Sequence, residues 1–469
     1  MNKLAALLCL AASWSAAAEK SQPPNIVVVL VDDLRWDDLG CAGHPFSQTP
    51  HMDRVAREGA RFLNAFATTP LCSPSRACLL TGLYAHAHGI TDNTERGAQS
   101  HKLATFPQAL QRAGYETAYV GKWHMGNDDS PRHGFDHWVC LKGQGSTFDP
   151  ELNINGSASK SVGYVTDVLH EQALAFLRQP RAKPFLLYFA HKALHPETVQ
   201  RADGSLSDPN ASNFIPAARH QNLYAGEKIP RRLNALQAPR NKPALQRRIA
   251  DLPSLGPGTG SSDESILGRL RMLAAVDESL GGLLRALEQS GELERTLVVV
   301  TSDHGYFYGE HGLSVERRLA YEESIRIPLL MRLPGVIQPG SEPAQMALTL
   351  DIAPTLMELA GAASDSSLHG RSLLPVFKKE AADWRGEFLI EYFTDKVFPR
   401  VHQMGYQAIR DTRWKFIRYT SLQGMDELYD IETDPFEMNN RINDPQAAAE
   451  LQRLKTALDR LVKNTAANP

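Results

Sequence analysis

Six consecutive apolar residues, 26–31 (Ile-Val-Val-Val-Leu-Val), run straight into Asp32 and Asp33. A continuous run this rich in β-branched residues suits a strand covered on both faces, as in a parallel sheet between two helical layers. The pattern returns in "ETAYVGKWH", "PFLLYFAHKALH" and "TLVVVTSDHG". Between these runs lie helical patterns: "HMDRVAREGARF", "FPQALQRAG", "VTDVLHEQALAFLRQ" and "ILGRLRMLAAVDESLGGLLRALEQSG". Strand alternating with helix predicts an α/β fold, with a large, mixed but mostly parallel sheet sandwiched by helices.

Four of the predicted strands end in polar clusters: Asp32-Asp33, Lys122 with His124, His195, and Asp303-His304. Open α/β sheets bind ligands beyond the carboxyl ends of their strands. One such cluster is commonly a surface turn. Four at equivalent places predict one convergent site.

The chain has 469 residues, enough for one large domain and a smaller one. Residues 1–18 read as a cleavable signal peptide, with Lys3, an apolar run from Leu4 and small residues at 16–18. This predicts a secreted or periplasmic protein. No stretch reaches transmembrane length. Residues 19–378 read as the catalytic domain. Residues 379–469 read as a smaller α+β domain with antiparallel strands at "EFLIEYF" and "YQAIRDTRWKFIRYT" and a closing helix. The net charge of −3 gives no global attraction to nucleic acid.

Residues 200–262 break the rhythm with Gly-, Pro-, Ser- and Asn-rich loops. Within residues 215–250, eight basic residues face one acidic residue, Glu227. This reads either as a solvated loop or as a strip that attracts a polyanion. His220, Tyr224 and Arg232 are candidate sugar contacts on it.

Behind the signal peptide the cysteines are Cys41, Cys72, Cys78 and Cys140, in no zinc or C-x-x-C spacing. Cys72 and Cys78 are six apart, which on one helix turns them about 240° from each other and disfavours a mutual disulfide. Pairing among Cys41, Cys78 and Cys140 stays open. Cys72 reads as the start of a helix, with Ser73 as N-cap, Pro74 in the first turn and Gly82 at the end. A helix N-terminus beside Arg76 can bind an anion or activate a thiol.

The stretch "CSPSRACLLTGLYAHAHG" resembles the Cys-x-Pro-Ser-Arg maturation signature of type I sulfatases, in the alkaline-phosphatase-like superfamily. The resemblance continues through "NIVVVLVDDLRWDDLG", "GYETAYVGKWHMG", "TSDHGYFYGEHGL", "YEESIRIPLLMR", "LDIAPTLMELAG" and "ELYDIETDPFEMNN". It implies that a formylglycine-generating maturation enzyme converts Cys72 to formylglycine. It also implies Ca2+, with Mg2+ as the alternative, on Asp32, Asp33, Asp303, His304 and residue 72. Hard cations prefer oxygen, and His304, where the family carries Asn or His, is the one nitrogen ligand of the set.

The same resemblance implies the remaining roles. One hydroxyl of the formylglycine hydrate attacks sulfur. Loss of a proton from the other re-forms the aldehyde and releases sulfate, splitting one hard step into two. Asp303 would activate the attacking hydroxyl, while Arg76 and His124 position and stabilise the hydrate. Lys122 would hold a sulfate oxygen. His195, preferred over His191 for its Ala-x-His spacing, would contact sulfate and protonate the leaving oxygen. Relatives carry a Lys just before "YEES". Here "SVERRLAYEES" offers Arg317 as the stand-in, with Arg318 as the alternative. The basic segment suggests a sulfated carbohydrate as substrate. The competing readings are a phosphoester or phosphonate hydrolase on the same fold, and a non-catalytic glycan-binding relative.

Overall fold

The computed structural model describes residues 22–208, 212–363, 367–394 and 397–466. The signal peptide expected at residues 1–18 lies outside them.

A nine-stranded sheet forms the centre. Its spatial order is β2 (Ala60–Arg61), β10 (Leu329–Arg332), β9 (Thr296–Ser302), β1 (Asn25–Val31), β8 (Phe185–Ala190), β4 (Glu116–Lys122), β5 (His137–Leu141), β6 (Glu151–Ile154) and β7 (Ser157–Lys160). The five central strands, β9-β1-β8-β4-β5, are parallel. β10 and β2 on one side, and β6 and β7 on the other, are antiparallel. A two-stranded pair, β3 (Ala65–Phe66) with β11 (Ala347–Leu348), sits apart.

Side chains of a strand alternate between faces. Val27, Val29 and Val31 enter the core that holds the helices Val165–Leu177 and Asp263–Gln289. Ile26, Val28 and Leu30 enter the opposite core, with the helices Phe106–Arg112 and Ile352–Leu359. Both faces of β1 are thus covered, and the run is apolar throughout for that reason. Gly121 in β4 has φ 128, and a Cβ there would lie 1.8 Å from the Ala190 carbonyl oxygen. Only glycine allows this approach to β8.

A second sheet follows, antiparallel throughout: β12 (Glu387–Tyr392), β13 (Tyr406–Asp411), β14 (Trp414–Tyr419) and β15 (Glu427–Asp430). The helix Ala448–Thr465 covers it through Leu454 and Leu458. The same core reaches Phe66, Tyr84 and Tyr321 of the larger part. Sequence patterning marks the long central strands well. It leaves β5, β6 and β7 unmarked, and reads residues 58–62 as helix where the chain turns into β2.

Candidate active site

The register sets four strand ends side by side. Val31 pairs with Ser302, and both Leu30 and Gly121 pair with Ala190. The residues at and just beyond these ends are Asp32, Asp33, Asp303, His304, Lys122, His124 and His195, so all emerge at one edge. Asp32 is fixed there by its own backbone: its N–H donates to Ala193 O at 2.9 Å, and its carbonyl accepts from Leu194 N at 2.8 Å. Asp33 and His304 each donate a backbone N–H to Asp303 Oδ1 at 3.0 Å. Asp33 and His124 adopt left-handed φ angles of 57° and 59°. Non-glycine residues pay for that conformation, and such residues concentrate at functional sites.

Asp32, Asp33 and Asp303 bring carboxylate oxygens within 4.8 Å of one another. Two further sets of the same compactness are Asp33-Cys72-His304 and Asp32-Cys72-His195. Three cations answer the three carboxylates. Arg76 donates from Nε to Asp303 Oδ2 at 3.0 Å and from its Nη2 to Asp32 Oδ2 at 2.7 Å. Lys122 Nζ donates to Asp32 Oδ2. Arg317 Nε donates to Asp33 Oδ1 at 2.7 Å, and its Nη2 faces His195 Nε2 at 2.8 Å. Arg318 turns away, with its guanidinium 4.4 Å from the Phe398 ring centre.

The fields are strong because the groups are buried. Burial would raise the Asp32 carboxyl, but Lys122 and Arg76 overcome it and hold it well below the usual range. Asp303 is raised by burial and by Asp32. Burial, then Lys122 and Arg317, press His195 far down, so its imidazole is neutral. Its Nδ1–H donates to Pro196 O at 3.0 Å, which leaves Nε2 as acceptor toward Arg317.

Cys72 opens the helix Cys72–Thr81, and two expectations about it need correction. Ser73 is not the N-cap. Leu71 holds that position without a side-chain bond, while Asn93 Oδ1 accepts the Ser73 N–H at 3.0 Å. Asn93, distant in sequence, supplies the acceptor that a capping hydroxyl would, and frees Ser73 Oγ to donate to the His124 carbonyl. Nor is the thiol activated. Burial and the charge of Asp32 push it up, outweighing Lys122. Its Sγ lies 3.4 Å from His304 Nε2. Gly82 ends the helix as expected, with φ 70° and its N–H on Cys78 O.

The basic segment is partly paired, while Lys228, Arg240 and Arg248 stay exposed. Arg219 pairs with Asp167 and Glu278, Arg231 with Asp263, and Arg232 with Asp37 and Glu323. Lys242 is buried between the rings of Tyr321 and Tyr429. Acids from other parts of the chain answer four of the eight cations, which a linear count cannot show. The three candidate sugar contacts are likewise engaged: His220 bonds Glu278, the Tyr224 hydroxyl accepts from Gln48 N, and Arg232 lies over Trp36. His191 packs on Phe189 with both ring nitrogens unpartnered among the described residues. The cysteines at 41, 72, 78 and 140 are all free thiols.

Sequence reasoning misses Lys192, Gln144 and Gln200. Lys192 is buried, 3.2 Å from Glu197, and its field reaches His195. A lysine closing an apolar strand was its one available signal. Gln200 bonds His124 and Gln144, and as a loop glutamine it carries no signal at all.

The donors fit a divalent cation. Asp33 Oδ2 is buried with no hydrogen-bond partner among the described residues, an expensive vacancy for a carboxylate oxygen. The His304 Nδ1–H is satisfied by Gly305 O at 3.0 Å, so Nε2 carries the lone pair a metal needs. Three carboxylates and one imidazole form an oxygen-rich set suited to a hard ion.

Fold and site together define a hydrolase of the alkaline-phosphatase-like superfamily. The chain belongs to the sulfatase family: that family's model matches residues 24–362, and the C-terminal model of N-sulphoglucosamine sulphohydrolase matches 309–464. It is a sulfuric ester hydrolase. It is 34% identical to an N-acetylglucosamine-6-O-sulfatase of Bacteroides thetaiotaomicron, over 98% of this chain and 89% of that one. It is 28% identical to the N-acetylglucosamine-6-sulfatase of Homo sapiens, over 92% and 83%. A solved structure in complex with its substrate D-glucosamine-2-N,6-O-disulfate superposes with a TM-score of 0.82 at 31% identity, covering 95% of this chain and 99% of that one. Among the described residues, no helix is long and apolar enough to cross a membrane.

Proposed function

We propose that this sulfatase removes the 6-O-sulfate from a sulfated glucosamine, using a formylglycine formed from Cys72. The observation that carries the reading is the position of Cys72. It opens a helix between Asp32 and His304, with Arg76 one turn on, while its thiol is held protonated. A protonated, buried thiol is a poor nucleophile. The geminal hydroxyls of a hydrated aldehyde at the same place supply both an attacking oxygen and a second hydroxyl for release. The glucosamine assignment rests on the near-full-length similarity to the two N-acetylglucosamine sulfatases and to the glucosamine disulfate complex.

The residue roles follow from charge and reach. Asp303 accepts the proton of the attacking hydroxyl. Arg76 bridges Asp32 and Asp303 and holds both in place. Lys122 and Arg317 bind sulfate oxygens, where preorganised charge is worth most. His195 Nε2 is the atom assigned to the leaving oxygen; it carries no proton in the free site and takes one there once the negative charge of a bound sulfate favours the imidazolium. Asp32, Asp33, Asp303 and His304 hold the cation, Ca2+ in preference to Mg2+. When bound, the cation screens the sulfate oxygens and makes sulfur more electrophilic. Residues 1–18 direct the chain out of the cytoplasm, and residues 379–469 form the smaller domain beside residues 19–378.

Peptide mass spectrometry of the Cys72 region, on protein made by its secretory route, tests the nucleophile. An aldehyde that reacts with a hydrazide, together with turnover of glucosamine-6-sulfate, supports the reading. An unmodified thiol in protein that still turns over sulfate esters overturns it.

A further inference from the structure

We propose that Gln200 is a positioning residue that locks His124 as its Nε2–H tautomer, so that the Nδ1 lone pair is left to accept the proton of the second hydroxyl. This rests on the formylglycine reading above and extends it to a residue that touches none of the reacting atoms.

The argument starts at a backbone carbonyl. Gln200 Nε2 donates to Gly204 O at 2.9 Å. A carbonyl only accepts, so the amide nitrogen of Gln200 must be the group on that side. Its Oε1 is therefore turned the other way, where it meets His124 Nε2 and receives a second bond from Gln144 Nε2 at 3.0 Å. An amide oxygen cannot donate, so the proton between Gln200 and His124 belongs to His124 Nε2. In a neutral imidazole the other nitrogen then carries the lone pair. That atom, His124 Nδ1, is buried with no hydrogen-bond partner among the described residues. Burial, then Lys122, keep the ring neutral.

The lock is itself held. Gln200 lies on a tight hairpin closed by a bridge to Leu206 and by bonds from Ser207 N to Val199 O and from Arg201 N to Ser205 O. Glu95 N donates to Ala202 O on this hairpin. Two residues away, Asn93 caps the helix of Cys72. The hairpin thus sets the amide, the amide sets the ring, and the neighbouring segment sets the helix start.

The step served is sulfate release. The O–H of the second hydroxyl breaks and its proton moves to Nδ1. The freed electron pair forms the C=O bond, the carbon–oxygen bond to sulfate breaks, and sulfate leaves with that pair. Water then re-forms the hydrate, and the imidazolium returns its proton to solvent.

The test is 15N NMR of histidine-labelled full-length enzyme, with the His124 signals assigned by their loss in His124→Gln. The expected wild-type pattern has a pyrrole-type Nε2 and a pyridine-type Nδ1. Gln200→Glu keeps an acceptor, so it preserves the pattern and recovers most of kcat. Gln200→Met removes the acceptor, mixes the tautomers and lowers kcat by ~10²–10³, with little change in KM. A wild-type ring protonated at Nδ1 overturns the proposal. So does a Gln200→Glu enzyme as slow as Gln200→Met, or a loss confined to KM. The NMR pattern is read without turnover. A locked ring in an enzyme without aldehyde at residue 72 would overturn the formylglycine reading and leave the lock standing.

Discussion

Arg317 donates through Nε to Asp33 Oδ1 at 2.7 Å, and both groups are buried. The same guanidinium reaches His195 with its other edge. A planar fork can span two partners at fixed spacing, whereas an ammonium is a point charge. Arg317→Lys therefore keeps the charge but loses one of the two contacts. Steady-state kinetics should show kcat/KM down by ~10-fold for Arg317→Lys and by ~10²–10³ for Arg317→Ala, the scale of one lost preorganised donor. Arg317→Lys at full wild-type activity would remove the fork from the account.

Leaving-group chemistry tests His195. If its Nε2 carries the proton to the leaving oxygen, the demand is greatest for a sugar alcohol and small for a nitrophenol. His195→Asn should slow glucosamine-6-sulfate by ~10²–10⁴ and an activated aryl sulfate by about tenfold or less. Equal losses on both would reduce His195 to a sulfate contact.

Metal dependence should be visible in stability as well as activity. Asp33 Oδ2 is buried without a hydrogen-bond partner among the described residues, and a bound cation would give it one. Removal of divalent ions should abolish turnover. Adding Ca2+ at about 100 times its Kd should stabilise the fold by about 2.7 kcal/mol, read as a rise in Tm. Asp33→Asn should weaken that rise, and His304→Asn, which exchanges nitrogen for oxygen, should increase the preference for Ca2+ over Mg2+. A Tm unmoved by either ion would count against the carboxylate cluster as the cation site.

Legibility differed by the range of the interaction. β1, β4, β8 and β9 were readable because burial on both faces keeps the middle of each run apolar. Their polar ends were readable because parallel register brings strand termini together. Gln200 and Asn93 were not, since their partners lie 76 and 20 residues away. The fate of the basic segment was equally hidden: Arg219 meets Asp167 and Glu278 only once the Val165–Leu177 and Asp263–Gln289 helices are packed. Cys72 was readable as a helix start. Its raised thiol pKa was not, because burial and then Asp32, at the end of β1, cause it.

The smaller sheet is joined to the larger part by buried charge, and that joint has a pH signature. Lys415 Nζ lies 2.8 Å from Glu322 Oε1 and 2.8 Å from Glu437 Oε1, with all three side chains buried. Burial, against the pull of Lys415 and with the push of Glu322 and Glu323, lifts Glu437 to about 7. A carboxyl raised in the folded state contributes stability that is fully present below its unfolded pKa and is lost as pH rises through the folded one. For Glu437 the window runs from about 4.5 to about 7. Lys415→Met removes the cation from two buried carboxylates, which costs about 3–5 kcal/mol when both are ionised. Without Lys415 the Glu437 carboxyl is raised further, so denaturant unfolding should find a deficit that grows as pH rises above about 7. Below about pH 7 Glu437 is protonated in both proteins, so the deficit should level off at a smaller value. A deficit independent of pH would mean that Glu437 stays ionised across this range.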